Sequence, residues 1–462
     1  MRKIVAFVLS CTALFAQHEH AAEAAADEKP VALYAGLGSW HHPISTSNVE
    51  AQKYFDQGLI LLYSFNRYEA LRSFRKAAEL DSHGAMPCWG MAMALGPYLN
   101  MDMDPSYQIK DSCDAAKTGL ALQNISETDR GWLNGAAARC PDYSDPGRYI
   151  GAMREVAAHN PDDPDAQTLY AEALILPVRW HCYDQHGKAA SGVPEAGGIL
   201  ESVLRRFPNH PGANHLYIHV VEASPTPERA IPSAQRLMGI VPAAGHMVHM
   251  PGHIWLVLGD FNTAAAVNER AAQVDREYFA KTGVIGSYYP YYLHNLQFIL
   301  YSRAMQGRVA ETNAAVAQMT AAIRSVMDTM PEMADFLSGS IPTTELRVYQ
   351  WDEVLARERP RSDSALRISL WHYTRAVAFA GRAQLDEARQ EQTEFESLCK
   401  KVDRSAPWDT NKTGDVMDLA SAILKARVAV SRAAAIEYWR RAVELQDALA
   451  YGEPPAWYYP VR

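Results

Sequence analysis

From about residue 50 onward, apolar residues recur at the three- and four-residue spacing of one helix face, in Ala-rich stretches of about 12–16 residues separated by Pro, Gly or Asp turns. No stretch keeps the strict alternation that a half-buried strand needs. The pattern therefore predicts an all-α chain. Residues 51–84, AQKYFDQGLILLYSFNRYEALRSFRKAAELDSHG, form a 34-residue unit of two helices, with Gly58, Ala70, Phe74 and Ala77 as its packing residues. The spacing recurs where Gly252 and Ala264 stand twelve apart and Ala271 follows seven later, as Ala77 follows Ala70. Weaker units start near Ala85, Pro211, Tyr291, Ser369 and Val416, the last carrying Ala435, Trp439 and Ala442. Regularity lapses at 98–150, at the Gly-rich connection 184–198, and at 331–365, where Pro331, Pro342 and Pro360 punctuate the chain. The tail YGEPPAWYYPVR is expected to pack as an extended segment.

Small and aromatic residues at these positions are the packing signature of the tetratricopeptide (TPR) helix–turn–helix repeat. One such pair cannot bury its apolar face alone, so the expected fold is a TPR-like α-solenoid whose first helices line a concave inner surface. The organisation expected is a leader and N-terminus over 1–26, a lead-in segment over 27–50, a solenoid over 51–330, an irregular connection over 331–365, and C-terminal helices with a tail over 366–462. Several stretches are more specific: STSNVEAQKYFDQGLILLYSFNRYEALRSF, PCWGMAMALGPYLN, HPGANHLYIHVVEASPTPERA, GHMVHMPGHIWLVLGDF and YYLHNLQFILYSRAMQGR. Over about residues 37–325 they resemble a large family of bacterial TPR proteins of mostly unassigned biochemical role. The resemblance implies an α-solenoid with its histidine motifs as a family feature, and no reaction. Gln297 stands where the family's His-Asn-x-His-Phe stretch would have another histidine.

Residues 1–16, MRKIVAFVLSCTALFA, have the basic start and short apolar run of a secretory signal peptide, with cleavage expected between Ala16 and Ala26. The run is short of the roughly 20 apolar residues that span a bilayer, and no later one reaches that length. The chain is expected to be exported, in the periplasm, with a lipoprotein through Cys11 as a lesser alternative. Five further cysteines, Cys88, Cys113, Cys140, Cys182 and Cys399, cannot all pair within one chain; Cys113 with Cys140 is one option. The 44 Lys and Arg against 53 Asp and Glu give a net charge of −9 without a basic run, which argues against nucleic acid as a partner.

The informative chemistry is in the histidines: 16 in all, seven of them between residues 210 and 294. His215 and His219 are four apart, as are His249 and His253, so each pair projects from one helix face. The two pairs are 34 residues apart, one repeat length, which places them at equivalent positions on adjacent repeats. Glu222 lies one turn beyond His219, His246 precedes His249 by three, and His294 opens a third helical unit. Together they read as a metal site for one or two ions, with copper first, then iron, then zinc, since imidazole suits all three. Pro251 either kinks its helix or starts it, which in the second case leaves His246 and His249 on the preceding turn. Met247 and Met250 at helical spacing read as core, and Tyr217, Trp255, Tyr291 and Tyr292 as groove lining. Glu172 is a further carboxylate on the helix before this region, equally suited to a surface role.

The expected function is a metal-dependent oxidoreductase acting on a small molecule or peptide in the groove, with Glu222 and His294 in catalytic roles. The alternatives are a peptide- or protein-binding scaffold using its TPR surface, a zinc-dependent hydrolase, and a metal storage or delivery protein. No G-x-S-x-G, phosphate-binding loop, dinucleotide fingerprint or H-E-x-x-H occurs.

Overall fold

A computed structural model describes residues 30–100, 108–283, 286–327 and 331–462. The expected leader and Cys11 lie outside the described residues. The chain is all-α and TPR-like, and it divides into two compact units: the described parts of 1–183, 189–258 and 267–295 in the first, and of 184–188, 259–266 and 296–462 in the second.

In the first unit, helices Val49–Tyr63 and Arg67–Leu80 form the pair expected at 51–84. Asn48 caps the first by accepting from the amides of Glu50 and Ala51, and Asn66 caps the second through the amide of Glu69. Three residues join them, and Phe65 turns the chain at φ 56°, a left-handed conformation uncommon for a bulky residue. The packing residues behave as the spacing required: Ala70, Phe74 and Ala77 are fully buried. A Cβ on Gly58 would stand 2.7 Å from the Phe74 ring, and one on Gly90 2.4 Å from it. Two helices thus close on one aromatic ring because neither presents a side chain there.

Helices Ala85–Leu95, Ile109–Leu120, Glu127–Ala137, Pro146–His159, Pro164–Ile175 and Val193–Arg206 continue the stack. The described part of the irregular stretch 98–150 thus also contains helices, and the Cys113–Cys140 disulfide ties its 109–120 helix to the segment after 127–137. Among the described residues Cys88, Cys182 and Cys399 form no disulfide. The described residues of the lead-in segment have no regular structure before Val49 but are well anchored. Tyr34 donates its amide to Gln57 Oε1 at 2.7 Å, and the Ala243 amide donates to the Gly36 carbonyl at 3.0 Å.

The second unit packs helices Ala365–Gly381, Leu385–Cys399, Thr413–Arg427 and Arg432–Asp447 around Tyr373, Phe395, Leu419 and Trp457, and also contains helix Val309–Val326. The 331–365 region contains helices Pro331–Arg347 and Trp351–Ala356, so it is less irregular than its prolines suggest. The extended tail packs as expected, burying Trp457 and Tyr458. Among the described residues no helix is long and apolar enough to cross a membrane.

Candidate metal centre

Three segments of the first unit carry the histidines. Helix Pro211–Val221 starts on Pro211 and is capped by His210, whose Nδ1 accepts the Ala213 amide at 3.0 Å. It presents His215 and His219 one turn apart, and Glu222 at its C-cap. The second segment is broken into helices Gly245–His249 and Pro251–Val257. Of the two expectations for Pro251, the one in which it starts a helix holds, with His246 and His249 on the preceding turn. Gly252 lets this segment approach Asn268, whose Nδ2 would lie 2.4 Å from a Cβ there. The third is helix Tyr289–Met305, which brings in His294.

The side chains converge as two groups of three: His215, His219 and His246, and His249, His253 and His294, the nitrogens of each within 4.8 Å of one another. His215 Nε2 is 3.1 Å from both His219 Nε2 and His246 Nε2, while His249 Nε2 is 2.7 Å from His253 Nε2. Each sequence pair forms one edge of a triad, and the break at Met250 does not separate the second pair.

The opposite ring nitrogens face acceptors. His215 Nδ1 donates to the Tyr63 carbonyl at 2.6 Å, and His249 Nδ1 to Asn268 Oδ1 at 2.6 Å. His219 Nδ1 donates to Glu222 Oε1 at 3.0 Å, and His253 Nδ1 to the other carboxylate oxygen. Glu222 thus joins the two triads from the side away from the converging Nε2 atoms. His246 Nδ1 has no hydrogen-bond partner among the described residues, although the His246 amide donates to the Tyr288 hydroxyl at 3.1 Å.

The cluster is an interior one, not the open concave lining expected from the repeat pattern. His215, His219, His246, His249, His253 and Glu222 are all buried, and His294 is half-buried. Phe65, at its left-handed turn, lies 4.5 Å from His215 and stacks at 5.0 Å on His246. Trp180, also at positive φ (64°), meets His219 edge-on at 5.9 Å. Two bulky aromatics in unfavourable backbone conformations against one cluster fit the tendency of strain to collect at functional sites. Burial, reinforced by the neighbouring rings, pushes His215, His246 and His249 well below the ordinary imidazole value. His253 is also held low, burial outweighing the nearby carboxylate. Burial opposes ionisation of Glu222, but His253 and His219 override it and keep the carboxyl below its usual range.

Of the other residues singled out, Tyr291 does reach the site, 4.8 Å from His246, with its hydroxyl 3.2 Å from that of Tyr98. Tyr217 turns away to Glu201, and Tyr292 packs against Phe279 and Tyr289. Met247 and Met250 are fully buried core. Glu172 is buried and its carboxyl raised by burial against the pull of Arg139 and Arg67. With His215, Phe65, Arg67 and Tyr98 it lines a cavity of about 10 Å³, the size of one water. Gln297 bonds Tyr458 in the second unit.

Sequence reading missed a buried hub beside the cluster. Asp165 accepts from Tyr63 Oη at 2.6 Å, His42 Nδ1 at 2.9 Å, His210 Nε2 at 3.1 Å and Trp40 Nε1 at 3.2 Å. Burial opposes its ionisation, but His210 and His42 hold it far below the carboxylate range. His42, Asp163 and Asp165 are close enough to resemble a metal group. Four donors already satisfy Asp165, however, and Asp163 caps helix Pro164–Ile175, so hydrogen bonding accounts for them. Tyr63 links hub and cluster, its hydroxyl on Asp165 and its carbonyl on His215.

No family model matches the chain, nor does any curated protein sequence. Among solved structures, it is similar to yeast Tom70, at 10% identity over 86% of this chain and 85% of that one, with a TM-score of 0.34. It is similar also to the human IFIT1 dimer with m7Gppp-AAAA, at 12% identity over 87% and 91%, with a TM-score of 0.37. The P58(IPK) TPR domain matches at 14% identity over 83% and 99%, with a TM-score of 0.21. Likeness of this order concerns the helical-repeat class alone.

Proposed function

We propose that the first unit is a metalloprotein module holding two transition-metal ions, one in each histidine triad, and that the protein is an exported, metal-dependent oxidoreductase. The observation that carries this is the His249–His253 pair. Both Nδ1 atoms face acceptors and so carry the protons, and both rings are held neutral; their Nε2 lone pairs therefore point at each other across 2.7 Å. Such a contact is repulsive without a cation between the rings. Carboxylate and amide partners behind ligating imidazoles are also the usual outer support of a metal site.

The donor set favours copper. Each triad offers imidazole nitrogen alone, and the carboxylate oxygens of Glu222 are engaged by His219 and His253 on the far side. A two-histidine, one-carboxylate group of the kind that suits non-haem iron is present as well, in His219, Glu222 and His253, but its carboxylate oxygens already accept from both rings; affinity order places copper above zinc. Iron and then zinc follow. Glu222 acts in this reading as the positioning group of both triads, and His294 as the third ligand of the second.

Bound copper supplies one-electron steps at a buried position. The chain's own residues do the rest. Phe65 and Trp180 exclude bulk water from the first triad, and the raised Glu172 carboxyl holds a proton in the one-water cavity beside His215. Export agrees with the leader pattern of residues 1–16 and with the Cys113–Cys140 disulfide, since disulfides persist in oxidising compartments. The His-x-x-x-His-x-x-Glu and His-x-x-His-Met-Pro-x-His stretches associate the chain with the bacterial TPR family it resembles.

The test is elemental analysis of untagged protein after reconstitution, expected to give about two equivalents of copper per chain. His219→Ala and His253→Ala should each remove about one. Less than about 0.2 equivalents of any transition metal would overturn the reading, given the affinity of such ligand sets, and leave a binding scaffold. Oxygen consumption by the loaded protein separates catalysis from storage, and a requirement for zinc with hydrolysis would replace the redox assignment.

A further inference from the structure

The two triads differ in what covers them. In the first, His215, His219 and His246 are each 5% exposed or less, and one side chain meets all three. The Phe65 ring lies 4.5 Å from His215, 6.2 Å from His219 and 5.0 Å from His246, and it is nearly parallel to the last two, at 12° and 25°. Phe65 is itself buried and meets Tyr98 edge-on at 5.2 Å, which fixes the ring. Its backbone stands at φ 56°, a conformation that glycine adopts without strain. A turn alone would favour glycine at that position; the phenyl ring over the triad is what this residue adds.

The second triad has a different border. His249 and His253 are buried and anchored through Nδ1 by Asn268 and Glu222. His294 is half-buried, its ring 4.8 Å from His249 and 6.1 Å from His253. Solvent therefore reaches one imidazole of this triad, while the rings of the first are sealed.

Three imidazoles leave a metal ion at least one coordination position to fill, and whether an outside molecule takes it depends on room and access. Building on the two-ion reading above, we propose that the two sites are unlike: Phe65 closes the first triad to outside ligands, and the second triad takes the exchangeable one, a small inorganic ligand of the size of dioxygen or azide, entering past His294. The size follows from burial. His249, His253 and Glu222 are each 5% exposed or less, so a ligand reaches the ion between them only if it is small.

The test uses the full chain loaded with copper, titrated with sodium azide and followed by azide-to-copper charge-transfer absorption, with elemental analysis of the same samples. One accessible position predicts about one azide per chain in the wild type. His219→Ala, which keeps the second ion, should still bind about one azide, and His253→Ala, which keeps the first, should bind none. Phe65→Gly removes the ring and suits the left-handed turn, and it should bind about two. About two azides in the wild type, wild-type azide affinity in His253→Ala, no azide on a His219→Ala chain that holds its copper, or a folded Phe65→Gly chain with both coppers and about one azide would overturn the proposal. The two histidine variants carry the test if Phe65→Gly does not fold. Copper below about two equivalents in the wild type is failure of the metal assignment, and full loading with any of these azide results is failure of this proposal alone.

Discussion

Glu222→Gln is the most discriminating perturbation of the centre. The carboxylate takes one Nδ1–H from each triad, from His219 at 3.0 Å and from His253. Glutamine has the same shape but one oxygen and one NH₂ group. Whichever way the amide is turned, one of the two Nδ1 atoms faces an N–H, and that ring must move its proton to Nε2 in order to accept it. A protonated Nε2 cannot bind a metal, so one triad falls from three nitrogen donors to two and the other stays complete. A hydrogen bond to a charged group contributes about 1.5–3 kcal/mol, equivalent to about 10–150-fold in affinity, and removal of an outer-shell partner typically costs about 10–100-fold. Equilibrium dialysis against chelators of graded strength, followed by elemental analysis, should show wild type keeping both ions and Glu222→Gln losing one at a chelator strength about 10–100-fold weaker. If Glu222→Gln holds both ions with wild-type affinity, Glu222 is not the common support of the triads.

Asp275 gives a prediction in pH. Its folded value of about 8 exceeds the ordinary 3.8, so the folded state binds the extra proton and stability falls as pH rises from about 4 to about 8, levelling off above. Relative to Asp275→Asn, wild type should lose up to about 4 kcal/mol between pH 5 and 8, measured by denaturant unfolding, and parallel curves would refute this. Replacing Cys113 and Cys140 with Ser frees a loop of 27 residues and should destabilise the first unit by about 3–4 kcal/mol, seen as a lower melting temperature that reducing agent does not lower further. Gly90→Ala places a methyl 2.4 Å from Phe74 and should cost about 1–3 kcal/mol; pairing it with Phe74→Leu should return part of that loss, and a purely additive double variant would show that the ring is not what Gly90 accommodates.

What the sequence determined by itself is what helix geometry fixes locally. The 3.6-residue period, the small residues at Gly58, Ala70 and Ala77, and the i, i+4 spacing of His215 with His219 and His249 with His253 each depend on residues within a few turns of one another. The 34-residue interval added one longer-range statement, that the two pairs occupy equivalent positions, because stacking repeats the same geometry. The proline at 251 was legible as a break with two outcomes, and its position at the start of a helix chose between them.

Tertiary structure decided everything that depends on which distant surface meets which. Three segments divide six histidines into two triads by how they pack, and no spacing rule announces that His246 joins His215 across 31 residues. The acceptors that set the proton positions are similarly remote: the Tyr63 carbonyl is 152 residues from His215, and Asn268 is 19 from His249. Burial followed the same logic. The repeat pattern suggested an open concave surface, yet Phe65 and Trp180, both set at positive φ in turns, cover the rings and make the cluster an interior one. A residue's type and period fix which way it leaves its own helix, whereas protonation, solvent access and ligand grouping are properties of the space between helices, which only the packed chain defines.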